Sequence, residues 1–128
     1  MINRKAVLSD YVDLVGARPF QWSVNDPLIM VAGVVELLTG IDYAIGLRGK
    51  YGSCEEGKKL IGMSALRYVA ERLPEIPAIE AVDGDVAAVK QGREYGFGIF
   101  IGPQIYTMTR KGIGILPRCD AVKAFKVA

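Results

Sequence analysis

A chain of 128 residues and 13.9 kDa is one domain, large enough to bury a single core without covalent staples. Its 51% hydrophobic and 23% charged residues exclude a disordered chain, and 16 basic against 14 acidic residues, with no basic block, give no support to a nucleic-acid or membrane-surface partner. Two cysteines make neither a disulfide framework nor a zinc site, and the absence of histidine removes the usual general base and the commonest transition-metal ligand.

The opening stretch MINRKAVLSDYVDL is polar and amphipathic, unlike a secretory signal, so synthesis in a cytoplasm without an export signal is expected. Leu8, Tyr11, Val12 and Val15 fall at helical spacing and predict an amphipathic helix over residues 3–16. Residues 17–24 read as extended or irregular. Asp26 is then a good N-cap and Pro27 a favoured first helical residue, because its missing N–H would have no partner there in any case. The helix runs to about Thr39, with Gly40 as its C-cap. Leu28, Ile29, Val31, Val34, Val35, Leu37 and Leu38 leave it almost no polar face, which predicts a central, buried helix. The apolar run from Pro27 to Val35 is too short to span a bilayer.

Residues 41–53 are glycine-rich and read as loop. Cys54–Ile61 reads as a short helix, and Ser64 caps another in which Leu66, Val69 and Leu73 share a face. Pro74 and Pro77 close the helical half, about 1–74. After Asp83-Gly84 the pattern changes to short strands over 85–90, 97–101, 105–109, 113–116 and 122–127, within a strand half of about 84–128. The short links at 102–104 and 110–112 favour antiparallel neighbours. The expectation is one α+β domain over 1–128, its buried central helix packed on a curled antiparallel C-terminal sheet.

This order of parts resembles the NlpC-type, papain-like cysteine peptidase domain, especially the compact versions of phage tail gene clusters. In that family an aromatic-rich segment ending in a Trp-Gly-x-x-Asp-Cys pattern leads into the central helix. The matching residues here are Phe20, Trp22, Ser23, Asn25, Asp26 and Pro27. Thr39-Gly40-Ile41-Asp42, Tyr51, Gly84-Asp85, the strand Gly98-Ile99-Phe100-Ile101-Gly102 and the C-terminal Ala121–Val127 segment extend the likeness over nearly the whole chain.

The resemblance implies a thiolate at the helix start, activated by the helix dipole and a histidine. Pro27 stands in that place, with neither a nucleophile nor a backbone N–H. Losing one oxyanion donor costs about 3 kcal/mol of transition-state stabilisation. The histidine falls at about Gly96, and the third polar member near Thr107 or Met108. The resemblance therefore implies a pseudoenzyme, degenerate at Pro27 and Gly96.

Other chemistry finds little footing. Cys54, after Ser53 at a helix start, is the one thiol that could replace the nucleophile, though without histidine it reads as inert, as does Cys119. The stretch YGSCEEGKK holds no Walker pattern, and Gly96-Phe97-Gly98 enters a strand rather than a helix, so neither is a nucleotide motif. Glu55-Glu56 and Asp83/Asp85 read as a solvated helix start and a turn, and no metal or other cofactor is expected. Phe20, Trp22, Tyr43, Tyr51 and Tyr95 read equally as core edges or interface anchors.

The resemblance thus implies a structural component of a phage tail tip, located in the virion and bound to the hub, the distal tail or the central tail-tip protein. Loops 17–25, 41–53 and 91–96 would supply the contacts, with peptidoglycan a further partner but no nucleic acid and no membrane insertion. The alternatives are an active cell-wall peptide hydrolase working through Cys54, and a groove that binds glycan or peptide without turnover.

Overall fold

Four helices precede a six-stranded antiparallel sheet in the computed structural model, which describes residues 3–128. The expected domain start at residue 1 lies outside the described residues. Helix α1 spans Arg4–Gly16, and the Asn3 side chain caps it by accepting the Ala6 N–H at 3.1 Å. Helix α2 spans Pro27–Thr39 between an Asp26 N-cap and a left-handed Gly40. Helices α3, Cys54–Ile61, and α4, Ala65–Ala70, start on Ser53 and Ser64. The strands are β1 (Glu75–Ile76), β2 (Val86–Gln91), β3 (Glu94–Ile101), β4 (Gln104–Thr109), β5 (Gly112–Pro117) and β6 (Ala121–Phe125), in the order β1-β6-β2-β3-β4-β5.

The α+β order and the cap residues of α2 agree with the sequence reading, while three details depart from it. Strand β1 was not expected, because two residues between Pro74 and Pro77 carry no strand signal of their own; pairing with β6 makes it a strand. Helix α4 ends at Ala70, short of Leu73, although Val69 and Leu73 are both buried. Strand β3 starts at Glu94 rather than Phe97, so residues 91–96 form no open loop. They are the end of one strand, a two-residue turn at Gly92-Arg93 and the start of the next.

The strands' period of two assigns each residue to a face. Val86, Ala88, Phe97, Ile99, Met108 and Phe125 face α1 and α2, where they pack on Leu8, Val12, Met30, Val31 and Val34. The opposite face carries Ala87, Val89, Phe100, Ile105 and Ala124. Arg118 lies over it, its guanidinium 4.7 Å from the Phe100 ring centre and donating to the carbonyls of Gly102, Ala78 and Ala81.

Helix α2 is held from a second side, where Ile29 and Ala32 meet Ala44, Leu47 and Tyr51 of the glycine-rich loop. Full burial of each large apolar side chain on α2 contributes about 2 kcal/mol, so the helix start is anchored by far more than its cap. Burial of α2 is not complete all round, since Leu37 is exposed and Leu28 and Leu38 are half-buried. Gly33 is required by packing: a Cβ there would sit 2.0 Å from the Tyr11 hydroxyl, which crosses α2 and donates to the Met30 carbonyl at 2.9 Å. Burial above all pushes the Tyr11 phenol up to about 12.

Candidate functional site

The start of α2 is organised around Asp26, whose side chain is 1% exposed. Its Oδ1 accepts the Ile29 N–H at 2.8 Å, which is the N-cap bond. Its Oδ2 accepts the Ser23 N–H at 2.8 Å and the Tyr51 hydroxyl at 2.5 Å. A buried carboxylate is tolerated only when its lone pairs are met, and three donors meet them here. Burial first, and then the bond to Asp26, raise the Tyr51 phenol far above its ordinary value, so it remains a proton donor.

The approach to the helix is equally fixed. Residues 21–25 close a turn in which the Asn25 N–H donates to the Gln21 carbonyl at 2.8 Å and the Gln21 N–H to the Asn25 carbonyl at 3.1 Å. Ser23, at its tip, is buried with φ 63, a conformation costly for any residue but glycine. The Asn25 amide reaches the carbonyls of Val15, Arg18 and Pro19, tying the turn to the end of α1. The Gly49 N–H donates to the Ser23 carbonyl at 3.1 Å and ties in the glycine-rich loop.

Pro27 occupies the first helical position, half-buried beside this lock. It offers the site neither an N–H nor a reactive side chain. Beside it lies a narrow cavity of about 90 Å³, lined in part by Trp22, Leu28, Tyr51, Cys54, Lys58 and Tyr95. Lys58 is bonded to Glu94, which also lines the cavity, and that bond raises the lysine's pKa. Cys54 is exposed at the first position of α3. The Ser53 hydroxyl accepts the Glu56 N–H at 3.1 Å, and Glu56 Oε1 accepts the Gly52 N–H at 3.3 Å, so a reciprocal cap holds this second helix start.

Of the aromatic candidates, Trp22, Tyr51 and Tyr95 share the narrow cavity, Phe20 joins Trp22 and Tyr51 at an open groove, and Tyr43 lies apart. Phe20 and Trp22 meet edge to face, ring centres 5.0 Å apart, and the Arg110 guanidinium lies 5.8 and 5.7 Å from them. Together with Tyr51 and Gly52 they border an open groove of about 450 Å³. Tyr95 lines the narrow cavity, with Lys90 5.9 Å from its ring centre. Tyr43 is elsewhere: it packs toward the core beside α4, and its carbonyl accepts the Tyr68 hydroxyl at 2.9 Å.

Gly96 does not face the start of α2. It pairs with Val89, and a Cβ on it would come 2.6 Å from Cδ of Gln91, on the sheet face that carries Val89 and Phe100. The β3 residues turned toward the helices are Tyr95, Phe97, Ile99 and Ile101. Thr107 likewise belongs to the far face, its hydroxyl donating to the Phe97 carbonyl at 2.6 Å, whereas Met108 is buried beneath the helices. The side chains that β3 and β4 turn to the helices are thus Tyr95, Phe97, Ile99, Ile101, Tyr106 and Met108, with no imidazole, amine or carboxylate among them.

Sequence reasoning found Asp26 as a cap but missed Tyr51 as its partner, 25 residues on, and Arg110 above the aromatic pair; no local signal marks either. Among the described residues no three His, Cys, Asp or Glu side chains come together as a metal site, and no helix is long and apolar enough to cross a membrane. No curated protein matches the chain. A family model described as a domain of unknown function, DUF6950, matches residues 2–127, and the chain belongs to that family.

Proposed function

We propose that the chain is a catalytically silent domain of papain-like, NlpC-type architecture that serves as a docking component of a phage tail tip. The observation that carries the silent part is the lock at the start of α2. Where such a peptidase displays its nucleophile, this chain has Pro27, and the adjoining carboxylate is spent on three internal donors. A group already saturated by buried partners is poorly placed to move protons for a substrate. The resemblance supplies the tail assignment: an α+β chain with helices first, an antiparallel sheet second and a capped central helix is compatible with it. The rigid surface around the former cleft, built from the 17–25 turn and the glycine-rich loop, would bind the hub, distal tail or central tail-tip protein.

Mass spectrometry of purified phage particles from cells making the chain tests this reading. The chain is expected in the tails at a fixed ratio to the hub protein. Its absence from particles, with all of it left free in the lysate, would sink the tail assignment.

One observation favours a second reading, a cell-wall ligand held without turnover. The open groove at Phe20, Trp22 and Arg110 offers two aromatic faces beneath a guanidinium, a surface suited to stacking a sugar or holding a carboxylate. Titration with muropeptides, followed by backbone amide shifts, decides it: shifts at residues 20–24 and 110 support binding, and none at millimolar ligand removes it.

A further inference from the structure

The two edges of the sheet are built in opposite ways. At one edge, β1 is two residues long and stands between Pro74 and Pro77, so it offers a new strand almost no ladder. At the other, β5 runs six residues, GIGILP, with no charged side chain, no proline before its last residue and no break in its register with β4. Proteins that keep an edge solitary shorten it, charge it or bulge it. Strand β5 does none of these.

The β4–β5 hairpin has a two-residue turn, Arg110-Lys111, flanked by the pair Thr109 and Gly112. In such a hairpin the flanking pair exchanges hydrogen bonds, and the pattern then alternates, so Gly112, Gly114 and Leu116 turn their backbone groups to β4. Ile113 and Ile115 turn theirs outward, and among the described residues these groups have no other backbone or side-chain partner. Ile115 is 54% exposed on the face shared with α1, where Ile113 packs against Gly16. Charge marks one end of this row: Arg110 and Lys111 form no ion pair among the described residues, and β5 contains no acid.

We infer that the β5 edge is a strand-addition site for an extended segment of a partner protein, apolar at alternate positions and acidic at the end that meets Arg110-Lys111. Backbone hydrogen bonds from Ile113 and Ile115 supply the affinity, and the apolar positions cover Ile115. The acidic end sets register and polarity against the turn. A second copy of this chain fits less well. Antiparallel pairing of β5 with itself would bring Arg110-Lys111 of each copy to the Leu116-Pro117 end of the other, and β5 holds no acid to meet them. The inference rests on the sheet and not on the tail assignment, so either can fail alone.

The test uses two labelled twelve-residue peptides of alternating Val and Thr, one ending in Asp-Glu-Asp and the other in Lys-Lys-Lys, with binding to the full chain read by fluorescence anisotropy. The acidic peptide is expected to bind and to protect the Ile113 and Ile115 amides from hydrogen exchange. Ile115→Lys, which restores an edge charge, should weaken binding at least about tenfold, the loss of one central contact. Lys111→Glu should weaken the acidic peptide and strengthen the lysine peptide. Both variants should keep the wild-type circular dichroism and melting temperature, since both side chains lie outside the core. No binding of the acidic peptide at millimolar concentration, or binding indifferent to Ile115→Lys, overturns the inference. So does a wild-type dimer in sedimentation that Ile115→Lys dissociates, which would give the edge to a second copy.

Discussion

Two helix starts face the same narrow cavity, and they divide between them what a thiol hydrolase needs in one place. The start of α2 is buried, tied to α1 and the glycine-rich loop, and aimed by a rigid turn, yet its first residue is proline. The start of α3 carries the thiol of Cys54, but it is exposed, and its polar groups serve its own cap. The precise scaffold lacks the reactive atom, and the reactive atom lacks the scaffold. Nucleophilic catalysis requires a nucleophile, a base and an orienting group within hydrogen-bond reach of one another, and neither helix start has all three. Histidine, the residue that most often links such groups, is absent from the chain.

Substitutions at the two helix starts should differ sharply in their cost. Asp26→Ala removes the α2 cap and leaves the Ser23 N–H and Tyr51 hydroxyl buried without an acceptor. The expected loss is about 3–5 kcal/mol, read from urea unfolding. A loss below about 1 kcal/mol, the value of an exposed cap alone, would show that the lock is not cooperative.

Tyr51→Phe keeps the ring packed and removes one donor to a carboxylate, with an expected cost of about 2 kcal/mol. Because the Tyr51 phenol is raised above its ordinary value of 10.0, its share of stability is whole below pH 10 and falls as pH rises beyond it, where only the unfolded chain ionises. Wild type should therefore lose stability above pH 10 more steeply than Tyr51→Phe in parallel melts.

The α3 start should respond weakly. Ser53→Ala removes an exposed cap and is expected to cost about 1 kcal/mol. Cys54→Ser changes a solvent-facing atom with no hydrogen-bond partner among the described residues, so stability should stay within about 0.5 kcal/mol. Both Cys54 and Cys119 should react with a thiol reagent in the folded protein, because both are exposed. Protection of Cys54 without denaturant would contradict the open geometry of α3.

What was legible in the sequence was local. Asp26, Pro27 and Gly40 mark the ends of α2 because capping depends on residues only a few positions apart. Ser53 and Ser64 mark α3 and α4 for the same reason. The geometry of the candidate site lies in contacts between distant segments. Tyr51 reaches Asp26 from the glycine-rich loop, and Arg110 reaches Phe20 and Trp22 from a hairpin turn at the far end of the chain. The side to which Gly96 belongs depends on strand register, and a one-residue difference exchanges the faces of a sheet. Motif order alone put Gly96 in the histidine's place; the pairing with Val89 turns it away and gives that view of α2 to Tyr95 and Phe97.

The proposal that neither helix start performs hydrolysis is tested by direct measurement of turnover. Purified peptidoglycan and free stem peptides would be incubated with the wild-type chain and with Cys54→Ser, and the new amino groups counted against buffer. Both proteins are expected to match buffer. Cleavage by wild type that disappears in Cys54→Ser would contradict the proposal and move the chemistry to α3, and cleavage by both would contradict it at α2.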